Sequence, residues 1–155
     1  DMNLEGNEVE ITTSSRFIDP SNNELNAIIP ASSIIFPKRG GAIATNKKRF
    51  VKNDLFVDLN IMAITPFVGI NLDYGYLWLM GIDLAELNSG TSVPQINNKD
   101  IAPLLFPIPP LAEQHRIVAK VDELMALCDK LKARLNDAQT TQTQLADVIV
   151  EQAVA

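Results

Sequence analysis

The densest group of chemically active side chains in this sequence is cationic. Six of the thirteen lysines and arginines fall between positions 38 and 52, and no acidic residue interrupts them. They are Lys38, Arg39, Lys47, Lys48, Arg49 and Lys52, with Asn46 among them. Clustered cations create a local positive field even on an acidic chain, and phosphate contacts need only that field. Asparagine can pair with adenine and arginine with guanine. The cluster therefore predicts DNA contacts, with cations on phosphates and Asn46 and Arg39 near base edges; a solvated charged face is the alternative interpretation.

Side chains suited to catalysis or metal binding are sparse. The chain has one cysteine, Cys128, and one histidine, His115, which excludes an intramolecular disulfide and any cysteine- or histidine-rich metal cluster. The sequence contains no phosphate-binding glycine loop, no dinucleotide fingerprint and no Ser-His-Asp arrangement. We therefore expect a chain without catalysis of its own. His115 is interpreted as a surface or interface residue, and Tyr74, Tyr76 and Trp78 as core residues rather than a base-stacking platform.

Composition limits the class of protein further. The net charge is −6, no run of eighteen apolar residues occurs, and the N-terminal sequence is acidic. These features argue against a polybasic tail, a membrane span and a signal peptide. We expect a soluble, cytoplasmic protein that does not bind membranes.

The elements that must position the cationic cluster lie in residues 1–108, which contain all seven glycines. Short β-rich stretches separated by proline and glycine predict strands at 9–12, 33–36, 41–45 and 59–65. The cluster would then occupy two strands around the Gly40-Gly41 turn. Residues 71–87 are predicted to be helical, with Asn71 or Asp73 as the cap, and 88–101 to form a polar loop or hairpin. The fold class that follows is α+β, with a mostly antiparallel sheet.

Residues 109–155 have a different pattern, with no glycine and no proline after Pro110. Apolar residues recur at alternating steps of four and three, which is typical of a coiled-coil seam. The seam consists of Ile117, Val121, Leu124, Cys128, Leu131, Leu135, Ala138, Gln142, Leu145, Ile149 and Gln152. This pattern predicts one long spacer and dimerisation helix, which must pack on something beyond its own domain.

Two details refine the prediction for this helix. Flanking positions include Val118, Met125, Leu127 and Val148, where a two-stranded coil usually carries charge, so a second contacting body is expected. Residues 137–144 are weak helix formers and should be its least stable part unless a partner covers them. The alternative is a helix that folds back on residues 1–108 as a hairpin.

The junction between the two parts resembles a known family. Residues 96–131, "INNKDIAPLLFPIPPLAEQHRIVAKVDELMALCDKL", resemble the specificity subunit of type I restriction–modification enzymes. In that family a target recognition domain ends in a hydrophobic strand, then a "PLPPLAEQ-x-RI" sequence and a long helix. "IPPLAEQHRIV" at 108–118 matches this, and "IIFPKRGGAIATNKKRF" and "GTSVPQINNKDI" look like segments of such domains.

This resemblance implies a target recognition domain at 1–108 that lacks its N-terminal part, and a spacer helix at 109–155. It implies that the chain recognises one half-site of a bipartite target in double-stranded DNA. The helix would pair antiparallel with a second copy, or with the second half of the subunit. Modification and restriction subunits would be partners, and S-adenosylmethionine, ATP and magnesium would bind to them rather than to this chain. A coiled-coil protein adaptor without DNA binding is the alternative function.

Overall fold

Residues 2–17, 28–87 and 93–154 of the chain are described by a computed structural model. The chain divides into two units, residues 1–115 and 116–155. The first turn of the long helix thus belongs to the first unit, seven residues beyond the predicted boundary at 108/109. The first five residues of the predicted loop 88–101 lie outside the described residues.

The first unit is built on a small sheet with the strand order β1-β4-β3-β6. Strands β3 and β4, and β3 and β6, are antiparallel, whereas β1 runs parallel to β4. A separate antiparallel pair joins β2 to β5. The strands are β1 (Glu10–Ile11), β2 (Ile28–Ile29), β3 (Ser33–Pro37), β4 (Arg49–Val51), β5 (Leu55–Phe56) and β6 (Ile61–Ile64). The predicted mostly antiparallel α+β fold with a long C-terminal helix is confirmed.

The prediction of a strand at 41–45 is wrong, because Gly40–Thr45 forms a 3-10 helix. Strand β3 already has β4 on one edge and β6 on the other, so this segment finds no free edge there. It turns back instead, with Gly40 at φ 72° and Asn46 at φ 52°. The turn carries Ile43, which is 2% exposed, into the core. The cationic cluster therefore flanks a 3-10 helix rather than a Gly-Gly hairpin turn.

The predicted helix 71–87 forms as the shorter α1 (Leu72–Met80), capped by the Asn71 side chain, which accepts from the Tyr74 N–H at 2.9 Å. Residues 81–87 form turns and a bend instead of a continued helix. The N–H of Leu84 bonds to the Asn46 side chain at 3.0 Å, and the carbonyl of Ile82 accepts from Lys48 at 2.7 Å. The side chains of Asn46 and Lys48 thus occupy backbone groups that would bond to their helical neighbours in a longer helix. The prediction for 81–87 is wrong for this reason.

The region after residue 92 is more ordered than a polar loop. Gln95 forms an antiparallel bridge with Arg39, and Asn97 and Asp100 form a capping box at the start of α2 (Asn98–Ile101). The core lies between the sheet and α1 and is formed by Ile34, Phe36, Ile43, Leu79, Leu84 and Ile96. Tyr74 is buried, and Tyr76 and Trp78 pack against this core, as the sequence predicts.

The last element is α3 (Leu111–Val154), a continuous helix of 44 residues. At about 1.5 Å per residue its length is about 66 Å. Three threonine hydroxyls in its weak segment bond to the carbonyls four residues earlier, at 2.9–3.0 Å. Within the described ranges, no helix combines the length and hydrophobicity that crossing a bilayer requires.

Candidate nucleic-acid interface

The antiparallel pairing of β3 with β4 brings part of the cationic cluster together. Because Ile35 pairs with Arg49, the end of β3 and the start of β4 lie at the same end of the sheet. Lys38 and Arg39 follow β3 and Lys47 precedes β4, so the three residues lie at this end. We call Lys38, Arg39 and Lys47 the basic rim.

The cations of the basic rim are largely available to a ligand. Arg39 is exposed and Lys38 is half-buried, and neither side chain forms a hydrogen bond or ion pair within the part of the chain that the structure describes. Lys47 is half-buried, and its ammonium donates to the side chain of Asn3, an exposed and neutral partner. The rim therefore presents three positive charges, and none of the described carboxylates forms an ion pair with them.

Lys48 does not belong to this surface, which corrects the expectation that it contacts DNA, and half-buried Asn46 uses its side-chain oxygen within the domain. Lys48 is 1% exposed. Its ammonium donates to the Asn46 Oδ1 at 2.6 Å and to the Ile82 carbonyl at 2.7 Å. The Asn46 Oδ1 also accepts from the Leu84 N–H at 3.0 Å. Burial lowers the pKa of Lys48, and the Asp83 carboxylate acts in the opposite direction. We call these bonds among Asn46, Lys48, Ile82 and Leu84 the clasp.

Arg49 and Lys52 are placed apart from the rim. The Arg49 guanidinium donates to the carbonyls of Asn7 and Lys48 and so holds the N-terminal loop against β4. Lys52 follows the far end of β4, about 17 Å from Lys47 at 3.4 Å per residue, and forms an exposed ion pair with Glu10 at 3.4 Å. The structure therefore unites three of the seven predicted DNA-binding residues.

Residues 94–96, which composition alone did not single out, pair with the backbone of the rim. The Gly40 N–H bonds to the Pro94 carbonyl, and the Ile96 N–H bonds to the Lys38 carbonyl, both at 2.8 Å. In this pairing Gln95, which carries an amide side chain, is the residue opposite Arg39. Only the family-like sequence "VPQINN" indicated that this region belongs with the basic segment.

The start of α3 is fixed by a buried glutamine that the sequence argument missed. Gln114 is 0% exposed. Its amide nitrogen donates to the carbonyls of Gly69 and Pro109 at 3.0 and 2.9 Å, and its oxygen accepts from the Asn71 N–H at 2.8 Å. One side chain thus joins the first turn of α3 to the cap of α1. The "LAEQ" sequence pointed to this residue, but no periodicity did.

The segment before α3 is held by aromatic residues of α1. Trp78 donates to the Leu105 carbonyl and Tyr74 to the Pro107 carbonyl, both at 3.0 Å. Phe106 packs edge-on against both rings, with centroid distances of 4.9 Å to Trp78 and 5.7 Å to Tyr74. These contacts fix residues 105–107 against α1, just before the start of α3.

The predicted seam of α3 is unpaired by any other described residue over most of its length. Ile117 and Val121 are half-buried, whereas the later apolar residues of the seam are exposed: Leu124, Cys128, Leu131, Leu135, Leu145 and Ile149. Met125, Leu127 and Val148 beside the seam are also exposed. His115 is exposed, as expected.

Comparison with known families decides what kind of domain this is. Residues 5–138 match the family described as the type I restriction modification DNA specificity domain. The chain belongs to this family. Because the family is a DNA specificity domain, the adaptor alternative is not favoured. The match covers the basic rim, the clasp, Gln114 and much of α3.

Relatives of this specificity domain are bacterial. The chain is 39% identical over 79 residues to the type I restriction enzyme EcoAI specificity subunit of Escherichia coli, and the matched region is 51% of the chain and 13% of that subunit. It is 38% identical over 69 residues to the EcoDI specificity subunit, which is 44% of the chain and 16% of that subunit. The matched regions are thus small parts of these relatives.

A solved structure resembles the fold. It is a chain from a study of complex assembly and conformational transition of the type I R-M system, with a TM-score of 0.60 and 20% identity. The similarity covers 76% of this chain and 29% of that chain. At this identity the similarity establishes the fold alone.

Proposed function

We propose that the chain recognises one half-site of a bipartite DNA target for a type I restriction–modification complex. The observation that carries the proposal is the family match, which extends across the first unit and into α3. The basic rim supports it, since a target-reading domain needs cations that fix its position on the duplex.

Within the rim we assign different tasks to the three cations. Lys38 and Lys47 are point charges at the sheet end and suit phosphate contacts. Arg39 is the most exposed of the three, and its planar guanidinium suits the O6 and N7 atoms of guanine. Gln95 lies opposite Arg39. The Gln95 amide donates to the Asn97 side chain at 2.8 Å, so Arg39 is the side chain to which we assign base contact.

Assembly is the task that we assign to α3. Its exposed seam pairs antiparallel with an equivalent helix, in a second copy or in a second half of a longer subunit. Each recognition domain is attached at the N-terminal end of its helix, so antiparallel pairing places the two domains at opposite ends. Modification and restriction subunits bind around the pair, where the apolar flanks of α3 offer contact area.

Catalysis belongs to those partner subunits in this proposal. Methyl transfer from S-adenosylmethionine and cleavage driven by ATP and magnesium take place there, and this chain is not catalytic. Its contribution to activity is the choice of the DNA sequence and of the spacing between half-sites.

The test is the salt dependence of DNA binding by the complex reconstituted with modification subunits. Each phosphate contact adds about 0.9 to the slope of log K against log salt concentration. The triple variant Lys38→Ala, Arg39→Ala, Lys47→Ala should lower the magnitude of that slope by about 2.7 if all three residues contact phosphate, or by about 1.8 if Arg39 contacts a base. Arg39→Ala alone should relax the preference at one base pair.

The matched control is Lys52→Ala, which removes one exposed lysine at the other end of β4. It should leave the slope unchanged. A triple variant with the slope and affinity of the wild type, or an equal effect from Lys52→Ala, would contradict the assignment of DNA binding to the rim.

A further inference from the structure

The clasp fixes the backbone on both sides of a rim cation. Asn46 and Lys48 flank Lys47 in the sequence, and both bond to the turn at 82–84. The Lys48 carbonyl is held as well, since it accepts from the Arg49 guanidinium at 2.8 Å and from the Tyr76 hydroxyl at 3.4 Å. Lys47 therefore projects from a short stretch whose neighbours on either side are anchored to the domain.

The chemistry of the clasp suits a fixed position. A buried ammonium must keep its acceptors, because an unpaired buried charge is strongly unfavourable. Asn46 has φ 52°, a conformation that asparagine tolerates better than most residues. Its single oxygen serves two donors, the Lys48 ammonium and the Leu84 N–H. Loss of that oxygen would remove the acceptor of the Leu84 N–H and one of the two acceptors of the Lys48 ammonium together.

We propose that Asn46 and Lys48 are positioning residues for DNA recognition, which set the place of Lys47 relative to Lys38 and Arg39 without touching DNA. This inference rests on the proposed function of the rim. It assigns a role to two polar residues whose types alone suggest direct readout, and it explains why a lysine within a cationic cluster is buried.

Two variants at position 46 test the role of the side-chain oxygen. Asn46→Gly keeps the left-handed backbone conformation and removes the acceptor, whereas Asn46→Asp keeps an acceptor for both donors and removes the amide donor. With the reconstituted complex and a library of target variants, Asn46→Gly should weaken binding about tenfold at every target position. Asn46→Asp should retain the wild-type pattern of base preference, since the clasp persists.

Lys48→Met supplies the second test. Because Lys48 acts only through Lys47, Lys48→Met should weaken binding in the wild-type background and have little further effect on affinity or salt slope in a Lys47→Ala background. Lys47→Ala alone should lower the magnitude of the slope by about 0.9. Val51→Ala is the stability control, since this buried β4 residue lies outside the clasp and its truncation should leave DNA affinity unchanged.

Several results would overturn the inference. Relaxed preference at a single base pair in both Asn46 variants would make Asn46 a base reader, and an effect of Lys48→Met that persists in full in the Lys47→Ala background would show that Lys48 acts independently of Lys47. Unchanged affinity in Asn46→Gly, or an equal loss in Val51→Ala, would leave the clasp only a structural role. An unaltered Lys47→Ala slope would instead count against the proposed function of the rim, and so the two failures are distinguishable.

Discussion

Replacement of Gln114 tests how the first unit holds the start of α3. This side chain is 0% exposed and forms three hydrogen bonds of 2.8–3.0 Å. Gln114→Ala removes all three and leaves the Asn71 N–H without its acceptor in a partly buried place. We expect the first unit to lose stability and the cap of α1 to loosen.

The size of the loss follows from these contacts. A hydrogen bond contributes about 0.5–1.5 kcal/mol net, and an unsatisfied buried group costs about 1–3 kcal/mol. Gly69 is exposed, so water can reach its carbonyl and recover part of that bond. The expected destabilisation is therefore about 2–3 kcal/mol. For a unit of this size, that corresponds to a fall in Tm of about 10 °C.

A second exchange at this position adds a pH dependence. In Gln114→Glu the introduced carboxylate would face the carbonyls of Gly69 and Pro109, to which it cannot donate. Folding should therefore raise the pKa of this carboxyl above its unfolded value of about 4.3. The variant should be most stable below pH 4.3 relative to the wild type and should lose that stability as the pH rises through the folded pKa.

Thermal and urea unfolding, followed by far-UV circular dichroism at several pH values, measure both effects. The matched control is Gln144→Ala, an identical exchange at an exposed position of α3, which should change stability by less than about 0.5 kcal/mol. If Gln114→Ala were no more destabilising than Gln144→Ala, or Gln114→Glu equalled the wild type at pH 7, the assigned role of this residue would be refuted.

Two further predictions concern α3. Insertion of one heptad between Gln139 and Gln144 keeps the seam on one face and adds about 10.5 Å, so methylation mapping should report about three more base pairs between unchanged half-sites; an unchanged spacing would contradict the antiparallel pairing. Leu131→Asp should turn a dimer at micromolar concentration into a monomer in light scattering, because the introduced charge would be buried in the seam; a wild type that is already monomeric would exclude self-pairing.

The long helix could be predicted from the sequence because its signal is local. Alternating steps of four and three persist from Ile117 to Gln152, and no glycine or proline interrupts them. The cap at Asn71 and the strands near 33–36 and 61–64 were also predictable, since each depends on a short stretch of residue types. Local pattern and structure agree where the residue types of a short stretch favour one kind of element.

The details of the candidate interface depend on residues far apart in the sequence. Lys48 can be buried because the Ile82 carbonyl and the Asn46 side-chain oxygen accept hydrogen bonds from its ammonium. Nothing in "TNKKRF" separates Lys47 from Lys48 by type. The same contacts end α1 early, so one tertiary arrangement accounts for two errors, the exposed Lys48 and the helix at 81–87.

The basic rim lies on a unit whose net charge is negative. Residues 1–115 contain thirteen acidic residues and eight lysines and arginines, which leaves a net charge of −5. Between positions 25 and 53 there is no acidic residue, and at about 0.1 M salt a charge is screened beyond about 10 Å. A duplex therefore meets attraction when it lies on the rim and little elsewhere. In the proposed complex such a unit should bind DNA weakly in other orientations, and two units joined by paired helices should gain affinity only where both half-sites are present at the right spacing.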